Sequence, residues 1–290
     1  MGSGSWSRDS FATYSCSVGR SVTADGLLDG DYRAQDMFKS RHLAPELDPK
    51  NVIRECVDSA EHPNTKPVIL ALDVTGSMGS AAVEVAKQIN IVMTELYDKV
   101  KDVEFLVMGI GDLSYDRAPI QASQFESDIR IAEQLDKVFF EGGGGGNDFE
   151  SYTAAWYFGL HHTKLDCWKR GQKGIIITMG DEPLNPYLPA KTLGNVTGDN
   201  VQANIETNTL YDAVSEKFDI YHLNVKHGST RYQEKIHSTF GQYLDKNHLR
   251  DTTINGITAD IIDIVTNAFN GNNITSSNAN VTVSSEGISW

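Results

Sequence analysis

One carboxylate and two hydroxyls occupy alternate positions in Asp73-Val74-Thr75-Gly76-Ser77. On a tight loop, oxygen side chains at i, i+2 and i+4 can converge on one point. A hard cation such as Mg2+ takes oxygen ligands in near-octahedral geometry and keeps several waters. One carboxylate plus two neutral hydroxyls suits such an ion if further oxygens arrive from elsewhere in the chain. Taken alone, the pattern is equally compatible with Thr75 and Ser77 capping a helix and with Asp73 as an ordinary strand-end acid.

The flanking sequence positions these groups. Residues 67–72 form a short, nearly uninterrupted apolar run. Such a run is too short for a helix and reads as a strand buried on both faces. Beyond Gly76 and Gly79, which allow a sharp turn, Ala82, Val85, Ala86, Ile89, Val92, Met93 and Leu96 recur every three or four residues. That is one face of an amphipathic helix. The order is buried strand, hydroxyl-rich loop, helix, and ligands of open α/β sheets bind at the carboxyl ends of the strands.

Further strands are expected at 102–110, 174–178 and 219–225, and helices at 129–140, 150–162, 201–217, 233–244 and 259–269. Residues 184–200, rich in Pro, Gly and Asn, read as a long loop. Strands alternating with helices imply an α/β fold, a doubly wound, mostly parallel sheet flanked by helices. Three of its strands end in an acid, Asp73, Asp112 and Asp181, and all three fall at the same sheet edge. Residues 1–64 break the rhythm and read as an extension packed on a main domain of 65–270. Short helices are expected at 32–41 and at 48–57, the second with Asp48 at the N-cap and Pro49 at N1. Residues 271–290, rich in Ser, Asn and Thr, read as a loose tail, with 281–283 as a potential edge strand.

The Asp73 loop after its apolar strand resembles the von Willebrand factor A (VWA) domain and its metal-ion-dependent adhesion site. In that family a second, glycine-rich loop delivers a Thr, Asp or Asn just before a helix. Here Gly142–Gly146 leads into Asn147, Asp148, Phe149, Glu150, Ser151 and Tyr152 with no Thr, so Asn147 or Asp148 is the nearest match. The third family loop reads Thr-Asp-Gly. Here it is Thr178-Met179-Gly180-Asp181-Glu182-Pro183, with Met179 at the usual Asp position and the acid two residues later. Together with D-x-T-G-S-M and E-G-G-G-G-G-N-x-x-E-S-Y, this order is similar to an intracellular prokaryotic branch of VWA proteins. The resemblance covers roughly residues 65–270. It implies Mg2+ (or Mn2+, or Ca2+ less tightly) held by Asp73, Thr75, Ser77, Asn147 or Asp148, and Asp181. It also implies a protein partner that offers an acidic oxygen to the metal, and an adaptor role, in some relatives beside an ATPase.

An enzyme reading competes with it. D-x-T-G-[ST] also resembles the phosphorylated loop of haloacid-dehalogenase-like phosphotransferases. Asp73 would then be the nucleophile, and Asp181 would resemble the later magnesium-binding acid. The five glycines have no role there, and Lys173 precedes its strand and so falls at the wrong end of the sheet. No G-x-G-x-x-G follows a strand and no G-x-S-x-G occurs, which argues against a dinucleotide-binding domain and a serine hydrolase.

Composition sets the remaining bounds. A net charge of −14 and a pI near 4.9 argue against a sequence-independent grip on nucleic-acid phosphate. No apolar run approaches the roughly 18 residues of a membrane span, and no signal-peptide pattern opens the chain. Cys16, Cys56 and Cys167 are few and scattered, which suits a reducing, cytoplasmic compartment, where the sequons at Asn195, Asn273 and Asn280 carry no glycan. His161 and His162, neighbours on a helix, point about 100° apart and so make a poor chelating pair. Asp112 and Asp116 read as a solvated loop, with a second cation as the alternative.

Overall fold

A computed structural model of the chain describes residues 4–143, 146–226 and 232–270. In chain order its elements are α1 (Arg8–Ser17), α2 (Ala34–Met37), β1 (Arg54–Cys56), β2 (Lys66–Asp73), α3 (Gly79–Lys99), β3 (Val103–Ile110) and β4 (Ile120–Ala122). There follow α4 (Arg130–Leu135), α5 (Thr153–His161), β5 (Thr163–Leu165), β6 (Gly174–Gly180), β7 (Tyr187–Leu188), α6 (Ala190–Thr197) and β8 (Ile205–Glu206). The last are α7 (Thr207–Val214), β9 (Phe218–Val225), α8 (Gln233–Phe240), β10 (Leu249–Thr252) and α9 (Ile257–Asn270). The tail at 271–290, with its potential edge strand, lies outside the described residues, as do Gly144, Gly145 and His227.

The apolar runs form the centre of a six-stranded sheet of order β10-β9-β6-β2-β3-β4. All neighbours are parallel except β4, which runs antiparallel to β3. Val68, Leu70 and Leu72 of β2 point into one core with α3 and α9, whereas Ile69 and Ala71 point into another with α5, α7 and α8. A strand buried on both faces needs apolar residues at every position, hence the unbroken run in place of alternation. Both faces are covered, so the fold is mixed α/β with a mostly parallel sheet between helical layers. The chain leaves β2 toward β3 on one side and returns to β6 on the other. The reversal of strand order therefore falls between the carboxyl ends of β2 and β6, where such sheets open a crevice.

The N-terminal segment lies against α3 and α4. The Trp6 indole N–H donates to Asn90 Oδ1 at 2.9 Å, and Tyr14 and Arg20 both meet Asp136. The expected helix at 48–57 is absent. Asp48 Oδ1 accepts the Lys50 N–H at 2.9 Å, Asn51 takes a left-handed φ of 56°, and residues 54–56 become β1, paired with β5. The Arg54 guanidinium, 6% exposed, donates to the carbonyls of Glu46 and Ala122. These long-range contacts override the local Asp-Pro helix signal. The helix expected at 32–41 shrinks to four residues, and that at 129–140 to six. The loop expected at 184–200 contains β7 and α6, and the helix expected at 201–217 contains β8 and starts at Thr207. β10, which carried no long apolar run, pairs with β9.

Candidate functional site

β2 delivers Asp73 fully buried at its carboxyl end. Asp73 Oδ1 accepts the Thr75 N–H at 2.8 Å and the Thr75 hydroxyl at 2.6 Å. β6 ends at Gly180 and delivers Asp181 across the crevice, where the exposed Ser77 hydroxyl donates to Asp181 Oδ1 at 2.9 Å. Asp73 and Thr75 thus form the floor of a cleft, and Ser77 and Asp181 form its open side. A hydroxyl that donates to a carboxylate keeps its oxygen lone pairs. Four oxygen side chains from two loops can therefore turn toward one cation.

The glycine-rich segment docks onto this loop through its backbone. The Gly76 N–H donates to the Gly143 carbonyl at 2.8 Å, and the Glu141 N–H donates to the Val74 carbonyl at 3.0 Å. A Cβ on Gly76 would come within 3.1 Å of the Gly142 carbonyl oxygen, a tight contact that favours glycine there. Past the glycines, Asn147 and Asp148 are exposed. Asp148 accepts from the Tyr232 hydroxyl at 3.1 Å and lies 3.6 Å from the Lys235 ammonium. Asn147 lines a hollow with Asp112.

Tyr152 reaches the floor of the cleft. Its hydroxyl donates to Asp73 Oδ2 at 2.7 Å, while its ring packs near His222 and Phe240. Gly180 is required opposite it, because a Cβ at that position would fall on the Tyr152 hydroxyl. Glu150, 4% exposed, is pinned by its N–H to the Pro183 carbonyl of the third loop, and its Oε2 has no hydrogen-bond partner among the described residues. The helix expected at 150–162 includes both Glu150 and Tyr152. In fact α5 starts at Thr153 and both precede it. No local signal marks them: the Tyr152 N–H closes a tight turn onto the Glu150 carbonyl at 2.9 Å, and that turn is set by the docking of the loop.

The electrostatics follow from burial. Asp73 is pushed up to about 7 by desolvation and by the Asp181 charge. Glu150 is pushed higher still by desolvation, then by Asp73 and the acids Asp116 and Asp112. Tyr152 is raised by burial and by Asp73. Two buried acids that resist ionisation, and an orphaned Glu150 oxygen, suit the arrival of positive charge. Among the described residues, no group of three His, Cys, Asp or Glu side chains is arranged to hold a metal. A site here would rest on hydroxyls as much as on acids, which fits a hard cation better than a transition metal.

The other sequence candidates fall elsewhere. His162 is buried and bonds Asp199 Oδ2 at 2.7 Å and the Val52 carbonyl at 2.8 Å, as part of the packing of α5. Asp112 is not solvated. It is 2% exposed, and its Oδ1 accepts the Ser114 N–H. Lys173 lies 3.4 Å from Asp219 in a cavity shared with Lys66 and Lys101, all at the strand starts or just before them, at the edge opposite Asp73. No helix among the described residues is long and apolar enough to cross a membrane.

No protein-family model and no curated protein matches the chain. Among solved structures it is similar to the pilus adhesin SpaC of Lactobacillus rhamnosus GG in its open conformation, at 12% identity and a TM-score of 0.48 over 76% of this chain and 31% of that one. It is also similar to the vWF domain of the type V pili tip protein Mfa5 from Porphyromonas gingivalis, at 12% identity and a TM-score of 0.45 over 71% of this chain and 96% of that one. Proximal thread matrix protein 1 from the mussel byssus follows, at 11% identity and a TM-score of 0.44 over 70% and 48%. The chain therefore spans 31% of the length of SpaC, and the likenesses are of fold alone.

Proposed function

We propose that the chain is a non-catalytic, cation-dependent protein-binding module of the VWA kind. Asp73, Thr75, Ser77 and Asp181 would hold Mg2+ or Mn2+, with Ca2+ weaker, and Glu150 would add its orphaned oxygen. The cation supplies a Lewis-acidic position for a carboxylate of the partner protein. Asp73 anchors the floor, Tyr152 orients it, and Ser77 and Asp181 form the open side. Asn147 and Asp148, on the exposed flank of the second loop, would meet the partner. The observation that carries this reading is the convergence of the Asp73 and Asp181 loops across the crevice between β2 and β6, joined by the Ser77–Asp181 bond.

The phosphotransferase alternative gains nothing from the geometry. The burial of Asp73, with Thr75 on one oxygen and Tyr152 on the other, bears on a nucleophile and a metal ligand alike, so the placement of a phosphate-binding lysine separates the two readings. The Lys235 ammonium lies over the Phe149 ring at 4.1 Å, beside Asp148. The test is calorimetric titration of Mg2+ and Mn2+ into wild type, Asp73→Ala and Asp181→Ala, with hydrolysis of a generic phosphate ester measured on the same samples. Binding lost in both variants without hydrolysis is the expected result. Metal-dependent hydrolysis that vanishes with Asp73 would establish the enzyme instead.

A further inference from the structure

Beside the cleft lies a hollow of about 190 Å³, walled in part by Asp112, Phe149, Asn185 and Tyr187. That volume suits one side chain rather than a drug-sized ligand, which needs roughly 300 Å³ or more. Asp112 is the charged group in its lining, 2% exposed. Its Oδ1 accepts the Ser114 N–H at 2.6 Å, whereas its Oδ2 is buried with no hydrogen-bond partner among the described residues. Nearby charges do not compensate it. Asp116 accepts the backbone N–H of Asp112 itself at 2.7 Å, and Arg117 turns away to Glu141. Among the described residues, no Lys, Arg or His lines the hollow.

A buried carboxylate with an unmatched oxygen is costly, and native structures keep one mainly where something else completes it. The walls indicate what that is. Tyr187, 41% exposed, and Phe149 both line the hollow. Aromatic faces around a carboxylate suit a guanidinium, which is planar, weakly hydrated and stacks on rings. The net charge of −14 draws cationic partners to the chain over distance. Asn185 holds the far wall in place through Nδ2 bonds to Thr153 Oγ1 and the Tyr187 carbonyl.

We propose that this hollow receives an arginine side chain of the partner protein, stacked on Tyr187 and paired with Asp112. Asp112 Oδ2 is enclosed when the hollow is empty and Oδ1 is held by the Ser114 N–H, so the guanidinium pairs with Asp112 as the carboxyl turns about χ2 toward the hollow. The inference rests on the cation-site reading for its partner. That partner then presents two features close together, an acid for the cation and an arginine for Asp112.

The test is an NMR titration of the 15N-labelled full chain with N-acetyl-arginine amide, and with N-acetyl-norleucine amide as the apolar control. The arginine probe should shift the Asn185 side-chain amide and the Tyr187 backbone amide saturably in the millimolar range, and the norleucine probe should not. Asp112→Asn should weaken the arginine response at least tenfold, and Tyr187→Ser, a surface change, should weaken it several-fold. Asp73→Ala should lose Mg2+ binding and keep the arginine response, so failure of the metal site is read separately from failure of the hollow. An arginine probe without effect on these amides, or matched by norleucine, overturns the proposal. So does full binding by either hollow variant, and Tyr187→Ser decides the matter if Asp112→Asn does not fold.

Discussion

Tyr152→Phe removes one oxygen from the floor of the cleft and leaves the ring. The ring stays packed near His222 and Phe240, with centroids at 5.0 and 5.8 Å, so the core keeps its shape. What is lost is the hydroxyl that donates to the fully buried Asp73 at 2.7 Å. A hydrogen bond to a charged group is worth about 1.5–3 kcal/mol net, and about 1.4 kcal/mol is tenfold in affinity. Because the bond is already made without the metal, Mg2+ should bind more weakly by at most roughly 150-fold. The hydroxyl also favours the charged form of Asp73. Without it Asp73 holds its proton to higher pH, so the deficit should be larger at pH 6 than at pH 8.5. Calorimetric Mg2+ titration at both pH values, with thermal unfolding as a control, makes the measurement. Affinity within twofold of wild type, in a protein whose Asp73→Ala variant loses the ion, would refute the reasoning and leave Tyr152 as core packing. A deficit independent of pH would refute the assigned link to Asp73.

Further outcomes follow from the same cleft and its surroundings. Asp73 has a folded pKa raised above its unfolded value. Its contribution to metal-free stability is therefore full below pH 4 and is lost as the pH rises through about 7, at up to about 1.4 kcal/mol per unit. Denaturant unfolding of wild type minus Asp73→Asn across pH 4–8 isolates this slope, and saturating Mg2+ should flatten it. His222 has the opposite sign, because burial depresses it to about 3. Its contribution is present above pH 6.5 and lost as pH falls toward 3, so His222→Phe should flatten the acid limb of the stability profile by up to about 1.4 kcal/mol per unit. Gly180→Ala places a methyl on the Tyr152 hydroxyl inside a filled core. Thermal unfolding should register a loss of about 2–3 kcal/mol, and the Mg2+ titration should weaken more than for Tyr152→Phe because the whole ring must move.

The amino-acid sequence by itself determined the four central strands of the sheet and two of the loops that meet at the cleft, but not β4, β10 or the strand order. Residues 67–72, 102–110 and 174–178 are apolar at nearly every position, and only a strand buried on both faces requires that. Once such strands run parallel, their carboxyl ends share an edge, and the pairing of β2 with β6 in the folded sheet then brings Asp73 and Asp181 together. Thr75 and Ser77 followed because their spacing from Asp73 is local. The second loop could not be read in the same way. Glycines have little conformational preference, so no local rule says which residue after them turns inward. That was decided by the Gly76 N–H to Gly143 carbonyl bond, the Glu150 N–H to Pro183 carbonyl bond and the space left by Gly180. These contacts turn Tyr152 onto Asp73 and bury Glu150, while Asp148 meets Tyr232 and Lys235. The strand at Arg54–Cys56 has the same cause. Asp48-Pro49 reads locally as a helix start, but the partner that makes it a strand is Thr163–Leu165, 109 positions away at each pairing. Local composition sets where a chain prefers to bend and bury. Contacts between segments distant in sequence set which side chain faces which, and only the folded chain contains them.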